Sequence, residues 1–202
     1  MTEKQMKQPL DHHGLDQLFS AARTYPGWLD KDVDNAVLQQ LYGLTRWGPT
    51  SMNIQPMRLV FVKSNEAREK LVQTLSPGNV AKVQAAPVTV IIAQDMAFYQ
   101  HLDRLAPHLN NAADKFRGNT KAIEENAIRN TTLQGGYLLL AARALGLDTG
   151  PMSGFDKDKL NQLFFSETSY QANFLMNLGY GDDESLRPRA PRFEFDEACE
   201  IV

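Results

Sequence analysis

The chain is poor in the residues from which most reactive centres are built. Its single cysteine, Cys199, excludes an internal disulfide and a cysteine-based metal site. It has four histidines. His12 and His13 fall in a polar N-terminal stretch and are expected in solvent. His101 and His108, seven apart, have the spacing to share a helix face. No HExxH or related pattern singles out a metal, so no metal site is expected. No GxSxG elbow offers a nucleophile. Long apolar runs are also missing: YLLLAARALGL is interrupted by Arg143 and is too short to span a bilayer. The opening MTEKQMKQPLDHHG has no apolar core of a secretory leader, and a soluble cytoplasmic chain is expected. A net charge of -3 over 202 residues gives no electrostatic case for nucleic acid or an anionic membrane.

What is present is an ordinary globular composition, 43% apolar and 22% charged, enough to bury a core in one domain spanning residues 1–202. Apolar spacing at Leu15, Leu18 and Phe19 predicts a helix over 14–22. A second helix is expected over 34–47, capped by Asp32 or Asp34, with Val37, Leu38, Leu41, Leu44 and Trp47 as its buried stripe. Strands are expected at 59–63, at 88–93 (uniformly apolar, hence buried on both faces) and at 173–181. Further helices are expected at 65–75, 121–145 and 157–165, with Gly146 just past the end of the longest. Pro77-Gly78-Asn79 reads as a turn, and DTGPMSGFD as a tight connection. Residues 95–120 start helical and become polar, as either a lid or a surface excursion. Helices and strands mix without βαβ regularity, which predicts an α+β fold.

Four features carry chemistry. Residues 46–58, RWGPTSMNIQPMR, set Thr50, Ser51, Asn53 and Gln55 between two prolines. Neutral donors and acceptors on a stiff loop suit a planar heterocycle and a polyol, although ordinary turns use the same residues. The tail from 185 to 202 holds Arg187, Arg189 and Arg192 on a proline-stiffened segment, as an anion clamp or a solvated basic stretch. Arg23-Thr24 is a second possible phosphate contact. Gly135-Gly136 inside the long helix implies either the close approach of another backbone, such as a second subunit, or a crowded core position. The glycines after the long helix lack both the spacing and the strand-to-helix setting of a dinucleotide fingerprint. A planar ring, a polyol and one phosphate together describe FMN.

Taken in order, ARTYPGW at 22–28, GPTSMNIQPMR at 48–58, GNVAKVQAAPV at 78–88, ALGLDTGPMSGF at 144–155, NLGYG at 177–181 and the arginine-bearing tail resemble the FMN-dependent nitroreductase family over nearly the whole chain. The pairing of ALGLDTGPMSGFD with WGPTSxNxQPxR is similar to its malonic semialdehyde reductase branch, of the pyrimidine-utilisation pathway. The resemblance implies a central, mostly antiparallel sheet flanked by helices, in an intertwined homodimer with FMN at the interface. It implies that Arg23 and Thr24 meet the phosphate, and that Thr50, Ser51, Asn53 and Gln55 reach the flavin from the partner chain. Asn79 and Lys82 would lie near the pyrimidine edge of the ring. Pro151, Met152, Ser153 and Gly154 would lie against it, with the Ser153 N–H aimed at N5. Arg189 and Arg192 would grip the phosphate, and Arg187 could replace one of them. Ala22 and Pro26 stand where many members carry a basic residue. Ser153 stands where much of the family has glutamate, which would favour anionic substrates.

The activity implied is ping-pong hydride transfer from NADH or NADPH through flavin N5. No side chain acts as a catalytic group, Lys82 tunes the ring, and the favoured acceptor is malonic semialdehyde. A generalist nitro- or quinone reductase is the alternative, and a flavin-binding protein without turnover is a third reading.

Overall fold

The computed structural model describes residues 8–202. The chain opens with α1 (His12–Leu15), which runs into a π-helical turn, Asp16–Ser20. Helix α2 (Asn35–Thr45) is capped by Asp34, whose carboxylate accepts the Ala36 N–H at 2.7 Å. Asp32 is used differently, as the partner of Lys63 at 3.1 Å. Strand β1 (Met57–Val62), α3 (Asn65–Val72), α4 (Pro77–Ala85) and β2 (Val88–Asp95) follow. Then come α5 (Leu102–Leu105), the long α6 (Thr120–Ala144), β3 (Asp148–Met152), α7 (Lys157–Phe165), β4 (Tyr170–Gly179) and a short α8 (Phe195–Ala198). Among the described residues no helix is long and apolar enough to cross a membrane.

The four strands form one antiparallel sheet in the order β1-β2-β4-β3. Strand β2 lies inside it and every one of its residues is buried. Its apolar run nonetheless splits with period two, as the pleat requires. Val88, Val90 and Ile92 join Met176 and Leu178 against Leu38 and Leu41 of α2 and Leu138 and Ala142 of α6. Ile91 and Ala93 join Leu175 against Leu71 of α3, Val83 of α4 and Leu160 of α7. The result is a helix–sheet–helix sandwich with an apolar layer on each face, the α+β arrangement expected.

Several expectations need correction. Among the described residues there are four strands where three were expected, because DTGPM is strand β3. Pro151 is tolerated there since β3 is an edge strand. Pro77-Gly78-Asn79 is the first turn of α4, with Pro77 in the first turn, where its missing N–H costs nothing. Leu44 and Trp47 were placed in the core stripe of α2, yet they are 46% and 77% exposed, and Leu15 and Phe19 are exposed as well. Their periodicity is real, but the face it defines is left exposed among the described residues. His101 and His108 do not share a helix, since α5 ends at Leu105. Gly146 does follow α6, at φ +75°. Its N–H donates to the Arg143 carbonyl and that of Leu147 to the Ala142 carbonyl, which closes the helix end. Gly135 is required by a side chain rather than a backbone: a Cβ there would stand 2.5 Å from the Phe174 ring. Gly136 faces open space. Residues 95–120 carry a small core of their own, in which Phe98, Leu102 and Phe116 pack with Ile54 and Ala127.

Candidate active site

The outer edge of β3 organises the site. Thr24 runs parallel beside Thr149, and the Tyr25 N–H donates to the Thr149 carbonyl at 3.2 Å. The two backbones approach so closely that a Cβ at Gly150 would lie 2.9 Å from the Tyr25 carbonyl oxygen. The tail closes the other side: Arg23 donates to the carbonyl of Arg187 at 2.5 Å. Between these segments lies a cleft of about 410 Å³. Arg23, Lys82 and Arg187 give it three cations, Thr24, Tyr25 and Ser185 three hydroxyls, and Gly150, Pro151 and Met152 an edge; among the described residues no carboxylate lines it.

Lys82 is held from behind. Its ammonium donates to Asn79 Oδ1 at 3.3 Å, and the Asn79 amide donates in turn to the Gly154 carbonyl at 3.0 Å. A Cβ on Gly154 would come within 2.7 Å of that amide, so glycine is required for the bridge. The Lys82 carbonyl accepts from Asn177, which also accepts the buried Thr89 hydroxyl. Ser153 is exposed between Met152 and Gly154, and its N–H has no hydrogen-bond partner among the described residues. A free edge amide thus stands next to the segment that the lysine braces.

Beneath the cleft the polar groups are tuned by burial. Partial burial first, and the bond its hydroxyl donates to Asp183 at 2.8 Å second, push the Tyr25 phenol up to about 12. Burial raises the Asp148 carboxyl, against the pull of the Gly181 N–H it accepts at 2.8 Å. Burial lowers the Arg143 guanidinium, which donates to the Leu18 carbonyl and so pins the π turn to α6.

Of the residues singled out in the sequence, the fold brings Arg23, Thr24, Lys82, Pro151 and Met152 to this cleft; Asn79 and Gly154 brace Lys82 from behind, and Ser153 directly follows Met152 in the chain. The tail arginine in it is Arg187. Arg189 donates instead to the Ser20 and Ala22 carbonyls, and Arg192 to those of Ala190 and Pro191. Tyr25 and Ser185 line the cleft without having been singled out. Tyr25 stood inside the quoted ARTYPGW, whereas nothing in the sequence near Ser185 signals that the tail folds back here.

Thr50, Ser51, Asn53 and Gln55 do not line the cleft. Within the chain they hold their own loop. The Thr50 hydroxyl accepts the Gln55 N–H, and Asn53 donates to the Leu105 carbonyl at 2.7 Å. Asn130 accepts the Ser51 N–H at 2.8 Å, and Gln134 donates to the Gln55 side chain while accepting the Met57 N–H. These bonds retain Met52, Asn53 and Gln55 at φ of 51°, 54° and 45°, left-handed values that cost a non-glycine residue about 1–3 kcal/mol.

Comparison with known proteins decides the family. The model described as Nitroreductase family matches residues 6–180. The chain belongs to the nitroreductase family. A Burkholderia lata protein provisionally named NADH dehydrogenase/NAD(P)H nitroreductase is 57% identical over 192 residues, covering 95% of this chain and 98% of the relative. A similarly named Stenotrophomonas maltophilia protein is 55% identical, covering 98% of this chain and 100% of the relative. Among solved structures, a Staphylococcus epidermidis protein provisionally named NAD(P)H:FMN oxidoreductase superposes with a TM-score of 0.85 at 17% identity, over 98% of this chain and 100% of that one. An Exiguobacterium sibiricum protein provisionally named nitroreductase, solved in complex with FMN, gives 0.82 at 19% identity, over 97% and 99%. Family membership makes the chain a flavin-dependent oxidoreductase. The cleft fits FMN, the cofactor this implies: its three cations and the Thr24 hydroxyl suit one phosphate, and the Gly150–Met152 edge of β3 suits a ring.

Proposed function

We propose that this nitroreductase-family chain uses FMN and NADH or NADPH to reduce a small anionic aldehyde, malonic semialdehyde being the best candidate. The aldehyde carbon gains a hydride, its oxygen gains a proton, and NAD(P)H leaves as NAD(P)⁺. FMN, when bound, supplies the hydride relay between donor and acceptor. The observation that carries the reading is the carboxylate-free cleft, in which Arg23, Lys82 and Arg187 converge beside the β3 edge.

Each residue there has a task. Arg23 and Arg187 hold the phosphate, with the Thr24 hydroxyl as a further donor. Lys82, held in place by Asn79, stabilises negative charge that builds up at the site during reduction. The Ser153 N–H is an oriented donor, and its hydroxymethyl side chain adds no charge to repel an anionic acceptor. Thr50, Ser51, Asn53 and Gln55 enter from a second copy of the chain. A second copy is supported by the apolar side chains exposed on α2 and α6 and just beyond α2: Tyr42, Leu44, Trp47, Ile128, Leu133 and Tyr137. The enzyme so assembled works in the cytoplasm.

A second reading, a generalist nitro- or quinone reductase, is favoured by the names of the relatives. A flavin-binding protein without turnover is a third. The purified protein is expected to be yellow and to release FMN rather than FAD on denaturation. With either nicotinamide it is expected to reduce malonic semialdehyde with a higher kcat/KM than a nitroaromatic or a quinone. A reversed ranking selects the generalist. Bound FMN without NAD(P)H oxidation selects the binder, and a colourless protein that gives no spectral change with FMN removes all three readings.

A further inference from the structure

A second concavity, a groove of about 830 Å³, lies between the end of α2, β1 and the 95–120 segment. Its charge is unusual for a chain whose net charge is -3. Arg46, Arg58, Arg104 and His101 line it, and among the described residues no carboxylate does. The four are not equivalent. Arg58 is already committed: it donates to Asp95 at 2.5 Å, and that buried carboxylate also accepts the Ser169 hydroxyl and the Ala97 N–H. His101 stands 3.6 Å from the same carboxylate. Arg46 and Arg104 have no carboxylate partner among the described residues. The Arg46 guanidinium is 5.5 Å from the Trp47 ring centroid.

Two unneutralised guanidiniums on open surface would mean little, because water solvates them well. Here they share a groove with Trp47, exposed in the single chain and part of the face proposed above for a second copy, and its floor is the amide set of Asn53, Gln55 and Gln134. Asn53 and Gln55 also belong to the loop kept in left-handed conformations by hydrogen bonds to α6 and to the end of α5, so the floor is fixed before any ligand arrives. Planar guanidinium forks match a carboxylate, while amides can donate to a carbonyl oxygen.

We infer that this groove binds the carboxylate of the acceptor, with Arg104 and Arg46 as its ligands, and so selects short carboxylate-bearing carbonyl compounds over neutral ones. The inference rests on the proposed function in one respect: a second copy must set loop 50–55 against the flavin cleft. The groove and its charge lie within a single chain.

Arg46→Gln and Arg104→Gln, both at exposed positions, test it. The readout is the ratio of kcat/KM for malonic semialdehyde to that for propanal, which carries a methyl group in place of the carboxylate. Each variant is expected to lower this ratio about tenfold, mainly through KM. A second readout needs no turnover. Malonate titrated into the purified protein should change Trp47 fluorescence saturably, and the change should be lost in Arg46→Gln, Arg104→Gln and Trp47→Phe. Unchanged ratios in both variants, or no malonate response in the wild type, would overturn the inference. Inorganic phosphate matching malonate at equal concentration would overturn it too, since the groove would then read a nucleotide phosphate. A malonate response in a protein that holds no FMN would keep the groove and sink the flavin reading instead.

Discussion

Arg187 and Arg189 are two residues apart on one stiff segment, yet their guanidiniums do different work. Arg187 lines the cleft, whereas Arg189 clips the tail to the carbonyls of Ser20 and Ala22. Arg187→Ala is therefore expected to weaken FMN retention by about 1.5–3 kcal/mol, the worth of a charge-assisted phosphate contact. Arg189→Ala should cost less cofactor and instead open the tail to limited proteolysis. Equilibrium dialysis of FMN against both variants checks the pair, and a larger loss at Arg189 would reverse the assignment. The sequence announces three arginines but cannot choose among them. The choice depends on where residues 20–25 pass beneath the tail, a contact between positions more than 160 apart in the chain.

At the scale of elements, α6 places two glycines side by side with opposite consequences. Gly135 abuts the Phe174 ring, while Gly136 faces open space. Gly135→Ala should destabilise the fold by about 1–3 kcal/mol through overpacking. Gly136→Ala should stabilise the isolated chain by up to about 1 kcal/mol from helix propensity alone. Thermal melts of both variants test this, and equal shifts of one sign would contradict it. The double glycine was legible as a close approach, but its neighbour was not, since Phe174 belongs to a strand nearly forty residues on. A helix was most legible where a cap and a 3.6-residue pattern coincided, as at Asp34 with α2. Strand β3 was not, because glycine and proline read as a connection unless the strand is known to lie at an edge. The start of α4 was hidden likewise, since a Pro-Gly-Asn turn and a proline-led helix start are the same letters. Trp47 shows the remaining limit: periodicity reveals that a face is apolar, not whether its partner is the core or another molecule.

The whole molecule raises that question directly. Tyr42, Leu44, Trp47, Ile128, Leu133 and Tyr137 are each at least 40% exposed, an apolar surface that a monomer would leave in water. Light scattering should report twice the 22.7 kDa of one chain. Leu133→Glu, placed on the exposed face of α6, should yield a monomer that loses FMN, because the loop bearing Thr50 and Ser51 would no longer be supplied. A monomeric wild type that retains FMN tightly would rule out the shared site. Much of the cleft was readable from motifs, because its residues cluster in a few short segments. The groove was not, because Arg46, Arg58 and Arg104 become neighbours only after β1 has paired and the 95–120 segment has folded over it.

The sheet order has a consequence for synthesis. Strand β2 has β1 on one side and β4 on the other, and the buried Thr89–Asn177 bond joins residues 88 apart. On the ribosome β2 can pair with β1 at once, but its other edge must wait until β4 emerges. At about 5–20 residues per second that delay lasts roughly 4–18 seconds. Throughout it, VTVIIA presents an unpaired apolar edge, the kind of template that recruits other strands. A nascent chain halted before residue 170 should therefore be bound by chaperones and prone to aggregate, and release from both should coincide with the exit of β4.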